Sequence, residues 1–311
     1  MLQYVYALFL GKQVKNSLVG IWVLFLAGAL AGCETVVEVE VPEHTPKLAV
    51  QYTLNTDDPN KNMFVGRSQP VLSNDELWRT GLVRDASITI KDIAGAVKQQ
   101  FVFTPNEYNA EFGNYTPTGW FVPEPGQQYT LTISAPNFET VQSTLTMPAP
   151  VPVVSTTFQP DSKNGRFNLS GMLRIQFNDL PNQQDNYRLM VQLLDNTGKP
   201  LGYAFSTEEN DDIFGEEIEQ IELYKVFDDG WANQGVITFS GKIGFYTGDN
   251  PPTQLEVVLQ HVTRDLFLYE RSKDNYTEDN PFAEPLNLYS NIQNGYGNFG
   301  GITVTKFRIR L

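Results

Sequence analysis

From Lys47 onward, apolar residues recur along this chain with a period of two. Leu48, Val50, Tyr52 and Leu54 alternate with Lys47, Ala49, Gln51 and Thr53. Ile88 and Ile90 alternate with Ser87 and Thr89, and Tyr129, Leu131 and Ile133 with Thr130, Thr132 and Ser134. In a strand, successive side chains point to opposite faces, so alternation rich in β-branched and aromatic residues marks a half-buried strand. Pro123, Pro125 and Gly126 set a turn just ahead of the Tyr129 strand.

The run Met147-Pro148-Ala149-Pro150-Val151-Pro152 interrupts this pattern. Proline has no backbone N–H to give to a ladder, so the run predicts a stiff connector and a domain boundary. Beyond it the period of two returns in three inward rows: Leu173, Ile175 and Phe177; Tyr187, Leu189, Val191 and Leu193; Leu255, Val257 and Leu259. Phe307, Ile309 and Leu311 predict a final strand. Ile302 and Val304 have the opposite parity, which predicts a bulge near Thr305. Val262, Leu266 and Tyr269 are spaced i, i+4, i+7 and predict a short helix over Thr263–Lys273. The expected fold is mainly all-β, with two antiparallel β-sandwich-like domains. Residues 47–147 form the first, immunoglobulin-like or transthyretin-like. Residues 148–311 form the second, with a short helix and a long packed carboxy-terminal loop.

The first 46 residues do not follow the strand pattern. Lys12 and Lys15 precede an apolar run, Leu18–Leu30, which ends in Leu30-Ala31-Gly32-Cys33. A membrane-spanning helix needs about 18 or more apolar residues, so the run is short for one, and it fits the core of a signal peptide. Small residues before the cysteine and an aliphatic three before it resemble a lipobox. Residues 1–32 are therefore expected to be a lipoprotein signal peptide. Cys33 is the expected first mature residue, carrying diacylglyceryl and N-acyl chains, and residues 33–46 form an acidic tether. Two or more acyl chains anchor stably. Cys33 is the only cysteine, so its lipidation excludes disulfides, thiol catalysis and thiolate metal sites from the rest of the chain. The net charge of −14 repels phosphate backbones and anionic lipid headgroups. It argues against nucleic acid as a partner and leaves the lipid as the means of membrane attachment.

Candidate chemistry is sparse. His44 lies in the proline-flanked tether, where solvent exposure is expected, and His261 continues the inward row of Leu255, Val257 and Leu259 as a buried, hydrogen-bonded histidine. Two histidines so far apart, without a Gly-x-Ser-x-Gly turn, support neither a zinc site nor a serine triad. The acidic stretch from Glu208 to Asp229 offers the hard oxygen ligands of calcium without the ordered spacing of an EF-hand loop. A solvated edge explains it as well. Trp78, Trp120 and Trp231 lie near turn signals and are candidate binding residues for sugars or a protein. Residues 280–301, rich in Asn, Pro and Gly and studded with Phe282, Leu286, Leu288, Ile292 and Phe299, read as a long loop held down by its own side chains.

That last stretch carries a family resemblance. Asn280-Pro281-Phe282 with Glu284-Pro285, then Ser290-Asn291-Ile292 and Asn294-Gly295-x-Gly297-x-Phe299-Gly300-Gly301, resembles the signature of the Bacteroidota lipoproteins carrying domain of unknown function 4249. Pro125-Gly126-x-x-Tyr129-x-Leu131, Phe177-Asn178-Asp179 and Asn186-Tyr187 extend the likeness over the mature chain, whereas Arg188 stands where many members have a second tyrosine. The resemblance implies an outer-membrane lipoprotein of unassigned biochemistry, associated with TonB-dependent β-barrel transporters, and it supplies no catalytic residues. The expected role is a non-enzymatic accessory or ligand-capturing partner of such a barrel, without cofactors beyond the lipid. A stand-alone adhesin binding glycans is the alternative, and a hydrolase a third.

Overall fold

In the computed structural model, strand β1 (Leu48–Asn55) is the first element of a body that runs from His44 to Leu311. The residues described are 44–70, 81–161, 169–181, 183–206, 222–230, 235–246, 252–274 and 288–311. Among them, the strands after β1 are β2 (Phe64–Arg67), β3 (Ser87–Asp92), β4 (Val97–Pro105), β5 (Gly113–Pro117), β6 (Gln128–Ser134) and β7 (Val141–Thr146). Beyond the proline connector come β8 (Val153–Pro160), β9 (Leu169–Asn178), β10 (Asn186–Leu194), β11 (Pro200–Tyr203), β12 (Phe205–Ser206), β13 (Val226–Asp228), β14 (Val236–Phe245) and β15 (Gln254–Val262). Helix α1 (Arg264–Asp274) and the long strand β16 (Tyr296–Arg310) follow. Among the described residues, no helix is long and apolar enough to cross a membrane.

The protein is predominantly β, as the alternation predicts, and its described strands form three sheets. A five-stranded sheet has the order β5-β4-β3-β6-β7, and a four-stranded sheet the order β12-β14-β9-β8. The third, of seven strands, runs β11-β10-β15-β16-β1-β2, with β13 also on β10. Its β1 end faces the five-stranded sheet across a core that includes Leu48, Val50, Tyr52, Ile88, Tyr129 and Leu131. Its β10–β15 end faces the four-stranded sheet across a second core that includes Leu173, Ile175, Phe177, Leu189 and Val257. Two sandwich-like cores thus share one sheet. The join is the parallel pair β1–β16, from Ala49↔Tyr296 to Asn55↔Ile302; the other described strand pairs are antiparallel.

Three local expectations meet different outcomes. Helix α1 begins and ends one residue after the predicted span, and it buries Leu266, Phe267 and Tyr269. The bulge near Thr305 is absent, because β15 and β16 pair without a break from Gln254↔Arg310 to Val262↔Ile302. The parity switch has another cause: Ile302 and Val304 face α1, whereas Phe307 and Ile309 face the four-stranded sheet, so both faces of one strand are covered in different places. The loop predicted over 280–301 is corrected from Tyr296 onward, where the chain is already in β16. Glycine there reflects close strand approach. Gly297 sits at φ +110°, and a Cβ on it would lie 1.8 Å from the carbonyl oxygen of Val50.

Candidate functional site

A buried polar cluster lies where several connections of the second core meet. Asp179 follows β9, Asp185 precedes β10, Asp229 follows β13, and His261 stands near the end of β15 opposite Tyr187 on β10. All five are buried. The Tyr187 hydroxyl donates to Asp179 Oδ1 at 3.0 Å, and the Asp185 N–H donates to Asp229 Oδ2 at 2.9 Å. His261 places Nε2 3.0 Å from Asp185 Oδ1 and donates from Nδ1 to the carbonyl of Ala149 at 2.8 Å. Gln183 Nε2 donates to both oxygens of Asp185 at 3.0 Å.

Burial and mutual repulsion set the protonation of these groups. Desolvation pushes the Asp179 carboxyl up to about 6; the Tyr187 hydrogen bond opposes this, and Asp229 and Asp185 reinforce it. At Asp185, burial also pushes upward, but hydrogen bonds from His261 and Gln183 outweigh it and hold the carboxyl below its usual range. Burial and the surrounding carboxylates raise the Tyr187 hydroxyl, so it stays protonated and remains a donor.

One oxygen from each aspartate lies within 4.8 Å of the others, the donor type a hard cation takes. Calcium takes six to eight oxygens. Here Asp185 already accepts from His261 and Gln183, Asp229 from the Asp185 N–H, and Asp179 from Tyr187. With those acceptor positions taken, the arrangement suits an internally hydrogen-bonded network better than a cation cage. Asp185 and His261 border a cavity of about 420 Å³. Both ring nitrogens of His261 are engaged by protein acceptors, so neither is turned toward a ligand in that cavity.

The larger concavities lie elsewhere. Met63, just before β2, bridges to Tyr115 of β5, and the N–H groups of the two residues donate to each other's carbonyls at 2.9 and 2.8 Å. Past that bridge β2 pairs instead with β1 and with the segment around Leu82. A cavity of about 870 Å³ lies there, with Phe64, Arg67, Asn106, Tyr108, Phe112 and Asn114 in its wall. A second cavity, of about 710 Å³, is walled by Gln51, Tyr269, Leu288, Ile292 and Tyr296 among others. Phe64 and Ala49 line both.

Among the residues singled out from sequence, Trp120 is 76% exposed and lines neither of these cavities. Cys33, Trp78, Trp231, Asn280, Pro281, Phe282, Glu284 and Pro285 lie outside the described residues, as does the acidic stretch before Glu222. His44 is half-buried rather than open to solvent and lies 3.0 Å from the Ser68 hydroxyl. The remaining signature residues organise the entry to β16. Asn291 Oδ1 accepts the Phe299 N–H at 2.9 Å, while its Nδ2 donates to the Phe299 carbonyl and to Asp265. Asn294 donates to the carbonyl of Thr140 at 3.3 Å, and Phe299 is buried against Tyr52. At Gly300 a Cβ would meet Leu266 at 2.9 Å, and at Gly295 the Leu48 carbonyl at 2.7 Å. Gly295 and Gly297 also line the smaller of the two cavities beside Phe64. Sequence reading missed Asp179, Asp185 and Asp229 as a group, because a cluster drawn from three separate connections leaves no spacing signal. It missed Phe64 and Tyr108 because single exposed aromatics are common.

Fold and site together define a mostly β, sandwich-like protein that has, among the described residues, ligand-sized concavities and an internally hydrogen-bonded polar cluster. Over residues 34–308 the chain matches the family described as Domain of unknown function (DUF4249), and it belongs to that family. No curated protein matches the chain.

Proposed function

We propose that this protein is a lipid-anchored component of the outer membrane that captures a ligand without transforming it and works beside an integral β-barrel such as a TonB-dependent transporter. The observation that carries the capture role is the pair of cavities, about 870 and 710 Å³, that share the half-exposed Phe64 in their walls. Ligand sites are concave, partly apolar and within this size range. Support for the anchor comes from the leader and Cys33, and support for the barrel partner from the family resemblance.

A hydrolase would require a pair of carboxylates reachable from a cleft. The clustered carboxylates among the described residues are buried and hydrogen-bonded to Tyr187, His261 and Gln183, which favours a structural role for them.

Two experiments test the proposal. Cys33→Ala should release the protein from the membrane or leave it unprocessed, and a mature, membrane-bound Cys33→Ala protein would refute the anchor. Gentle detergent extraction followed by affinity capture of the tagged chain should recover a β-barrel partner. Recovery of the chain alone would favour a stand-alone adhesin.

A further inference from the structure

We propose that the double concavity around Phe64 is a binding site for a linear, uncharged oligosaccharide, an inference that rests on the ligand-capturing reading and names its ligand class. Phe64 is the shared wall and is 47% exposed. Its ring lies over Gly66, where a Cβ would come within 2.8 Å of the ring edge, so the strand itself seats the ring as a platform. Tyr108 is 95% exposed at the wall of the larger cavity, and Tyr296 is 48% exposed at the smaller. The loop carrying Tyr108 is fixed by its own hydrogen bonds. Asn106 Oδ1 accepts the Tyr108 N–H at 2.9 Å, and the Asn106 N–H donates to the Phe112 carbonyl at 2.8 Å. An exposed aromatic on a backbone-ordered turn is available to a partner, and the main-chain part of the ordering cost is already met in the free protein.

The polar groups around these rings select the chemistry. Asn62, Asn114, Thr104 and Thr116 line the larger cavity and Gln51 and Ser290 the smaller, giving amides and hydroxyls that both donate and accept. Among the described residues, Arg67 and Glu107 are the charged residues of the two walls, one of each sign. A ligand matching this set has apolar faces to lie on rings and many hydroxyls at its edges, without net charge. Sugar rings are built that way. Two cavities meeting at one aromatic suit a chain of such rings rather than a single one.

An extended peptide fits less well. Peptide capture by strand addition requires a free backbone edge. β2 has none, since it pairs with β1 on one side and with Gly81 and Val83 on the other.

The full-length chain, in a detergent without a sugar headgroup, is titrated calorimetrically with soluble α- and β-linked hexose oligosaccharides and with an extended-peptide library. Saccharide binding is expected, with each of Phe64→Ala and Tyr108→Ala weakening it about five- to tenfold. Trp120→Ala should leave affinity unchanged. Tyr108 is so exposed that its variant tests the site without endangering the fold, and unchanged thermal midpoints verify this for both. Binding of peptides alone, no binding of either probe, or saccharide affinity indifferent to both substitutions overturns the inference. Failure here with a barrel still recovered leaves the accessory role standing, whereas saccharide binding without a barrel removes the partner and keeps the site.

Discussion

His261 reaches across 112 positions of sequence to donate its Nδ1 proton to the carbonyl of Ala149 at 2.8 Å, while its other nitrogen faces Asp185. One side chain therefore fastens the proline connector to β15 and compensates a buried carboxylate. His261→Ala leaves Asp185 buried without this partner and the Ala149 carbonyl without a donor. Leaving a buried hydrogen-bonding group without its partner costs about 1–3 kcal/mol, and more for a charged one. Urea denaturation should show a loss in that range, and a loss under about 1 kcal/mol would show that solvent or a neighbour replaces the histidine.

Asp179 predicts an unusual pH response. Burial raises its folded-state pKa to about 6, above its value in the unfolded chain. The charged form is thus disfavoured in the folded state, and stability rises as pH falls through about 6 toward about 4. Asp185 works in the opposite sense: its folded pKa is lowered, so its contribution is present at neutral pH and is lost in acid below the ordinary carboxylate range. The thermal midpoint should therefore be higher near about pH 5 than near about pH 7.5 and fall again in stronger acid. Asp179→Asn keeps an acceptor for Tyr187 and should flatten the first limb; an unchanged limb would assign it to other groups.

Gly297 and Gly95 both have positive φ, but only one is crowded. Gly95→Ala meets no atom within 4 Å and should cost about 1 kcal/mol for its backbone conformation. Gly297→Ala would drive a Cβ into the Val50 carbonyl and separate β1 from β16, so a loss above about 4 kcal/mol or failure to fold is expected. Soluble expression and denaturation midpoints of the two variants check the contrast. Equal effects would mean that β1 yields easily.

Glu256 is 1% exposed, and its carboxylate is held by Gln192 on one oxygen and by Arg308 Nε at 2.6 Å on the other. Arg308→Ala removes a charged donor from a buried acceptor and should cost about 1–3 kcal/mol. The same change at exposed Arg310, two residues on, should stay within about 0.5 kcal/mol. Chemical denaturation distinguishes them, and similar losses would point to strand propensity rather than to the ion pair.

The inward rows were legible in sequence because each strand buries one face. Leu173, Ile175 and Phe177, then Leu189 and Val191, then Leu255, Val257 and Leu259 all lie in the second core, as alternation required. His261 was legible as a buried, hydrogen-bonded residue for the same reason. β16 was harder. Its two ends are covered on opposite faces, by the four-stranded sheet and by α1, so a single straight strand imitates a bulge. Its glycine-rich start imitates a loop, because close backbone approach and loop freedom call for the same residue. Pairing between β1 and β16 left no local trace, since neither strand's own pattern specifies a partner so distant in sequence. The cavity walls drew single residues from β2, the β4–β5 turn and the approach to β16, and no spacing links them.

The parallel β1–β16 pair also has a kinetic consequence. The first strand of the body cannot gain its partner until the last has been synthesised, so the seven-stranded sheet closes late. Loop-closure entropy for so long a separation must be overcome before the pairing contributes stability, which slows folding. Until then β1 and β15 each lack the neighbour that will lie between them, and two apolar strands stand with open edges. Such edges invite pairing with other chains. The carboxy-terminal strand thereby serves as a check on completeness, because a chain that stops before Tyr296 has no strand to join its two cores.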